Sequence, residues 1–402
     1  MHISQIPTQK KCPRFIEFIL LMAIISGLVA ISIDHLLPAF GEIATEFAIE
    51  DGNKMQMLIY IFMLSFALMQ IVYGPLTDSF GRKKILISGL LIYAVGTLMG
   101  AFSNTFEDLL ISRFIQGIGA SASRVLTTAI IRDCFKGAEM AKVMSFIMMV
   151  FIILPVFAPY IGNLILIYSN WHMIFINTFF ITIIITVWYT IRMPETLPSH
   201  LRHKNSFSNI LDSIKNTIQT RQTIGYATAV GTMFACIMSY IGSAQQIFQT
   251  EVYHLGNKFP IIFGSIAACM GFASFINARF VCKIGMQKLS YYGIVVMIIS
   301  STTNLVIAYI FKGIPPLPIF TIGLTITLFC FSVTMPNFST LAIEPLGYIA
   351  GTASSIIGLY STLIGVVCGA IIGQSFNGTV IPLITGHLIL ATSTFIIVTI
   401  IK

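Results

Sequence analysis

Apolar residues run down this chain in long blocks, and its polar positions collect in short breaks between them. Bracketed by charges and turn residues, the blocks predict twelve membrane-crossing helices: 16–39, 55–74, 85–103, 108–130, 143–167, 173–192, 223–250, 259–278, 289–311, 316–337, 350–373 and 380–400. Each is near the ~20 residues needed to cross a ~30 Å hydrocarbon layer at ~1.5 Å per residue, and the longer ones predict tilt. The ninth and tenth blocks part at Gly313-Ile314-Pro315-Pro316.

Composition narrows the class. The 402 residues are 56% hydrophobic and only 9% charged, with mean hydropathy +0.89. A soluble domain carries about 25% charged residues, so this chain cannot dress a water-facing surface. A soluble enzyme, a soluble nucleic-acid binder and a disordered chain are excluded, and an all-α polytopic membrane protein remains.

The net charge of +8 is a matter of topology rather than a nucleic-acid footprint. Lys10, Lys11, Arg14, Arg82, Lys83, Lys84, Arg132, Lys136, Lys142, Arg192, Arg202, Lys204, Lys215, Arg221, Arg279, Lys283, Lys288 and Lys402 fall on one side of the predicted membrane. Only Lys54, Lys258 and Lys312 fall on the other, together with Glu42, Glu46, Glu50, Asp51, Glu107, Asp108 and Glu251. The positive-inside rule then places both termini in the cytoplasm, in an inner (plasma) membrane. The first span reads as a retained helix, because its apolar stretch is too long for a signal peptide. The seven cysteines are scattered without CxxC or Cys/His clusters, so neither a disulfide framework nor a metal site is expected.

The polar connection 193–222 divides the chain into two sets of six spans, 1–192 and 223–402. A shift of 204 residues lays Gly81-Arg82-Lys83-Lys84 on Gly285-Met286-Gln287-Lys288, and Gly119 on Gly323. Parallel six-span repeats of this kind build one large class of transporters.

Three ionisable residues fall well inside predicted spans: Asp34, Arg113 and Arg124. Exposed to lipid, each costs about 2.5–3.5 kcal/mol near a helix centre, so they are expected to face a wet cavity or one another. Asp34 and Arg113 each lie about five residues, or ~7–8 Å, from the outer end of their span, so a pair at one level is expected. A carboxylate whose hydration or pairing changes between two conformations loads and releases a proton; a structural ion pair locking two helices is the alternative. Arg124, nearer the cytoplasm, either contributes to the cavity or snorkels.

The segment Gly74-Pro75-Leu76-Thr77-Asp78-Ser79-Phe80-Gly81-Arg82-Lys83-Lys84 resembles the loop motif of the major facilitator superfamily, which in that family latches the two halves in one access state. Arg113-Phe114-Ile115-Gln116-Gly117-Ile118-Gly119 is similar to the superfamily's fourth-span motif, whose arginine is associated with proton coupling. Pro155, Ala158, Pro159 and Gly162, at i, i+3, i+4 and i+7, resemble the fifth-span motif of drug–proton antiporters, with Ala158 in place of the usual glycine. Asp34-His35-Leu36-Leu37-Pro38, Arg132-Asp133, Trp171-His172, Glu195-Thr196-Leu197-Pro198 and Glu344-Pro345-Leu346-Gly347 look like the bicyclomycin-resistance (Bcr/CflA) branch.

The resemblance implies two six-helix bundles around a central cavity that opens alternately to either side, and efflux driven by entering protons. It implies proton coupling at Asp34 and Arg113 and a gating loop at Gly74, Asp78, Gly81 and Arg82. Gln116, Arg124, Tyr240, Gln245 and Gln246 are candidates to line the substrate cavity. The expected partners are a small amphipathic drug or metabolite, protons and the bilayer, with no cofactor beyond the proton gradient and a monomer as the working unit. A proton-coupled symporter or exporter of one metabolite on the same fold is the alternative; an intramembrane enzyme is a remote one, for want of a His/Asp/Glu cluster in the spans.

Overall fold

No water in the hydrocarbon layer satisfies backbone N–H and C=O groups, so a chain of this composition closes its hydrogen bonds inside helices. The computed structural model describes residues 13–135, 137–199, 202 and 217–401. Lys10, Lys11, Cys12, Lys136, Lys204, Lys215, Lys402 and most of the 193–222 connection lie outside the described residues.

The long helices are α1 (Phe15–Asp34), α2 (Met57–Phe80), α3 (Arg82–Ala101), α4 (Phe106–Cys134), α5 (Gly137–Tyr168) and α6 (His172–Arg192), followed by α7 (Arg221–Ala244), α8 (Phe259–Ile284), α9 (Met286–Ile310), α10 (Leu317–Ile343), α11 (Ala350–Gln374) and α12 (Ile381–Ile401). Among the described residues eleven helical stretches are long and apolar enough to cross a membrane, and α5 stands where the fifth span is expected. No strand occurs among the described residues.

Two boundaries differ from the apolar blocks for local reasons. The first block runs to 39, but α1 stops at Asp34. Pro38 has no N–H to offer the Asp34 carbonyl four residues back, and its ring would crowd that oxygen. The chain continues as a 3₁₀ turn, Leu37–Ala39, and a short helix, Phe40–Glu46. The seventh block runs to 250, but after Ala244 the helix widens into a π-helical turn, Gln245–Thr250.

The two sets of six helices use one pairing scheme. Within the first, α1 packs on α4, α5 and α6, α2 on α4, and α3 on α4 and α6. Adding six to each number gives the contacts of the second set: α7 on α10, α11 and α12, α8 on α10, and α9 on α10 and α12. The glycine correspondence has a physical basis. Gly81 and Gly285 adopt φ of 96° and 88°, a region where a side chain is strained, and each joins the second helix of its set to the third without a loop. Gly119 lets α4 touch the α3 backbone at Gly89 and Tyr93, and Gly323 meets Asn304 of α9 at the equivalent crossing.

Large apolar side chains such as Phe180, Ile184, Phe272 and Ile299 point outward. Between the sets, α2 packs on α11 and α5 on α8, and a cavity lies between these two seams.

Candidate functional site

The cavity has a volume of about 700 Å³. It runs from Asp34 and Tyr240 at one end to Asp78, Arg82 and Arg132 at the end that carries the Gly81 loop. Its wall is mainly apolar, with Phe66, Phe234, Phe331, Met63, Met238 and Met270 among the lining residues. Thioether and aromatic groups of this kind adapt to ligands of varied shape.

Asp34 stands on the last residue of α1 and is 4% exposed. Its carboxylate has no ion-pair or hydrogen-bond partner among the described residues, and it lines the cavity. The expected pair with Arg113 does not form. Arg113 is 1% exposed and turns away from the cavity, toward α2. Its Nε donates to the Leu58 carbonyl at 3.0 Å, its Nη1 to the Gln116 side chain, and its guanidinium lies 4.4 Å from the centre of the Phe62 ring. Depth along a span says nothing of the direction in which a helix points a side chain.

Gln116 is therefore not a cavity residue. It bridges Arg113 to Thr97 Oγ1, to which it donates at 2.8 Å. Thr97 in turn donates to the Tyr93 carbonyl at 2.7 Å, and the Tyr93 hydroxyl shares a hydrogen bond with Ser32, two residues before Asp34. A polar chain thus links Arg113 indirectly to the end of α1. Ser32, Tyr93 and Thr97 carry no charge, so no large transfer cost marks them in the sequence.

Tyr240 and Arg124 do line the cavity. Tyr240 stacks on Phe263 at 5.6 Å, and its hydroxyl has no hydrogen-bond partner. Gln245 and Gln246 are not among the lining residues. The π-helical turn changes which residues face inward, and Gln246 joins a polar clasp at the closed end of the cavity. Gln56 Nε2 donates to Gln246 Oε1 at 2.6 Å and to the Gly373 carbonyl at 3.0 Å. Asn53 Nδ2 donates to the Phe376 carbonyl at 3.0 Å, Gln374 Nε2 to the Asn53 carbonyl at 2.7 Å, and Tyr60 Oη to the Gly369 carbonyl at 3.1 Å. Each of these bonds joins the first six helices to the second six. A net ~0.5–1.5 kcal/mol per bond makes Gln56 worth roughly tenfold in the balance of access states. Gln56→Ala should raise labelling of a cysteine placed at Tyr240, in a cysteine-free background, by an impermeant thiol reagent added on the clasp side. Unchanged labelling would remove the clasp as a gate.

The residues of the Gly74–Lys84 motif are tied mostly to their own half. Arg82 Nη1 contacts Asp78 at 2.5 Å and Arg82 Nε contacts Asp133 at 2.9 Å. The Glu195 carboxylate accepts from the backbone N–H groups of Arg82 and Lys83 at 2.8 and 3.2 Å. It supplies the cap that Gly81, without a side chain, cannot offer to α3, and brings negative charge to the positive end of that helix. Asp133 and Glu195 lie 51 and 113 residues from Arg82, so their convergence was invisible in sequence. Gly74 is where the motif meets the other half, with a Cβ there 3.3 Å from Ser355 Oγ of α11.

In the fifth-span motif, Pro155 lines the cavity and Ala158 is buried. A side chain at Gly162 would overlap the His35 carbonyl, so this glycine seats α5 on the end of α1 rather than on the second half. Close approach across the α5–α8 seam comes instead from Gly264, whose Cβ would lie 3.1 Å from the Val156 carbonyl.

Comparisons with known proteins agree with this architecture. The Major Facilitator Superfamily profile matches residues 22–400. The chain is 29% identical to the uncharacterized MFS-type transporter YdgK of Bacillus subtilis (strain 168), over 90% of this chain and 91% of the relative. It is 28% identical to a bicyclomycin resistance protein homolog of Haemophilus influenzae, over 91% of each. Among solved structures it matches a peptide transporter, POT, with a TM-score of 0.76, 13% identity and coverage of 97% and 94%. It matches a D-xylose–proton symporter with a TM-score of 0.74, 16% identity and coverage of 95% and 97%. Twelve long helices in two like-paired sets, the cavity between them and a profile match along nearly the whole chain lead to one conclusion: this protein belongs to the Major Facilitator Superfamily, as a membrane transporter and not an enzyme.

Proposed function

We propose that the protein exports small amphipathic compounds, drugs among them, in exchange for protons. The single observation that carries the reading is the placement of Asp34: an unpartnered carboxylate at the closed end of an apolar, methionine- and phenylalanine-lined cavity. A proton taken up there from one side and released to the other couples the gradient to movement of the two halves, 1–192 and 223–402, about the enclosed compound. Arg113 acts through the Gln116–Thr97–Tyr93–Ser32 chain, which ends on α1 two residues before Asp34, and the Asp78–Arg82 loop sets the balance of access states. With the basic loops in the cytoplasm of an inner-membrane protein, the cavity is open inward and the clasp closes the outer face. The proton gradient is the energy source, no cofactor takes part, and the monomer is sufficient.

Relatives named for drug resistance support the export of drugs: beside the bicyclomycin resistance homolog stands multidrug resistance protein D of Escherichia coli, 22% identical over 87% of this chain. The test is transport in proteoliposomes under an imposed pH gradient, with a panel of cationic, neutral, zwitterionic and anionic compounds. Compound-dependent proton release from the loaded side is the expected result. Movement of proton and compound in the same direction would identify a symporter instead.

A further inference from the structure

Charge inside the cavity is unbalanced, and the imbalance has a definite location. Four charged residues besides Asp34 line it: Asp78, Arg82, Arg124 and Arg132. Asp78 and Arg82 satisfy one another, and Arg82 is further held by Asp133. Arg124 and Arg132 have no carboxylate partner among the described residues, and no side-chain acceptor meets either guanidinium. Both are on α4, eight residues or about 12 Å apart along its axis, with Thr128 between them also lining the cavity. The one unpaired carboxylate, Asp34, sits at the far, closed end. Both side chains are exposed to the open cavity, where water solvates them. Closing the cavity around a compound removes that water, so an anionic group arriving with the compound offsets the cost of enclosing an unpaired guanidinium.

We propose that the transported compound is an amphipathic anion, its carboxylate, sulfonate or phosphate group held by Arg124 and its apolar body lying against Phe234, Met238 and Met270. Arg132, nearer the open end, is the first cation such a compound meets. The guanidinium fork suits a planar or tetrahedral oxyanion through paired N–H donors, which a lysine in the same place reproduces only as a point charge. This assignment rests on the reading that the cavity is the transport site.

Three dansyl compounds with one apolar body and different heads test it: dansylglycine (anionic), dansylamide (neutral) and dansylcadaverine (cationic). Binding to the full chain in nanodiscs is measured by equilibrium dialysis without any gradient, with empty nanodiscs subtracted. Dansylglycine is expected to bind at least about tenfold more tightly than dansylcadaverine, the scale of one charge-assisted hydrogen-bonded contact. Arg124→Gln should erase that preference by weakening dansylglycine binding about tenfold, well beyond its effect on dansylamide binding, and Arg124→Lys should restore part of it. Arg132→Gln should slow dansylglycine association more than it weakens binding at equilibrium. Equal or tighter binding of dansylcadaverine by the unmodified protein, an anion preference that survives Arg124→Gln, or no binding of any of the three would overturn the proposal. Because no gradient is applied, the result is separable from antiport: anion-selective binding without proton exchange sinks the coupling and spares this assignment. Proton exchange by a protein that prefers dansylcadaverine does the reverse.

Discussion

Replacing Asp34 with asparagine should abolish accumulation driven by the proton gradient while leaving the protein folded and inserted. One proton per cycle across 100 mV supplies about 2.3 kcal/mol, or roughly fiftyfold accumulation, and the variant should fall to a ratio near one. The stability side of this prediction follows from the missing ion pair. Removing one member of a buried pair strands the other and costs about 3–5 kcal/mol. Because Arg113 is held by Leu58, Gln116 and Phe62, Asp34→Asn strands no cation, and its unfolding midpoint should stay close to that of the unmodified protein. Proteoliposome uptake and thermal unfolding of the same preparation measure both quantities. Undiminished gradient-driven accumulation would move the proton site elsewhere; a large loss of stability would instead point to an ion pair.

The second large effect is expected at Arg82, where the opposite logic applies. Its side chain is 5% exposed and that of Asp133 is 15% exposed, so Arg82→Met leaves a largely buried carboxylate without its cation. A loss of about 3 kcal/mol in stability is expected. Asp78, with 45% of its side chain exposed, keeps water as a partner and adds little to that loss. Combining Arg82→Met with Asp133→Leu removes both charges and should regain most of the stability, a non-additivity that a double-mutant cycle reads directly. Simple addition of the two single effects would show that the contact does not hold the loop. Arg82→Met should also alter access, because the start of α3 and the 195–197 segment share the same carboxylate cluster.

Particular residues show where the sequence stops being informative. Asp34 stood out because a lone carboxylate in an apolar run is costly, and cost is a property of composition. Gly81 and Gly285 stood out because both punctuate the same point in a repeated pattern. The Asn53–Gln56–Gln374 clasp and the Tyr93–Ser32 link could not stand out, since uncharged polar groups are common in spans and are distinguished only by what they meet. Gln245 and Gln246 are cavity candidates only as uncharged polar residues of the seventh span, where the π turn directs them elsewhere, and Gln116 is one through its neighbour Arg113, which itself faces α2.

The sequence by itself determined the class of the protein, the order of its long apolar helices, and the short set of ionisable residues inside them. These follow from transfer free energies summed along the chain, which depend on residue type and not on neighbours in space. Only the tertiary structure decided which helix faces line the cavity, that Asp34 and Arg113 are apart, that Asp133 and Glu195 converge on Arg82, and that Arg124 is left without a counter-charge. Those outcomes depend on helix rotation and on contacts between residues tens to hundreds of positions apart, and a one-dimensional pattern of polarity holds no record of either.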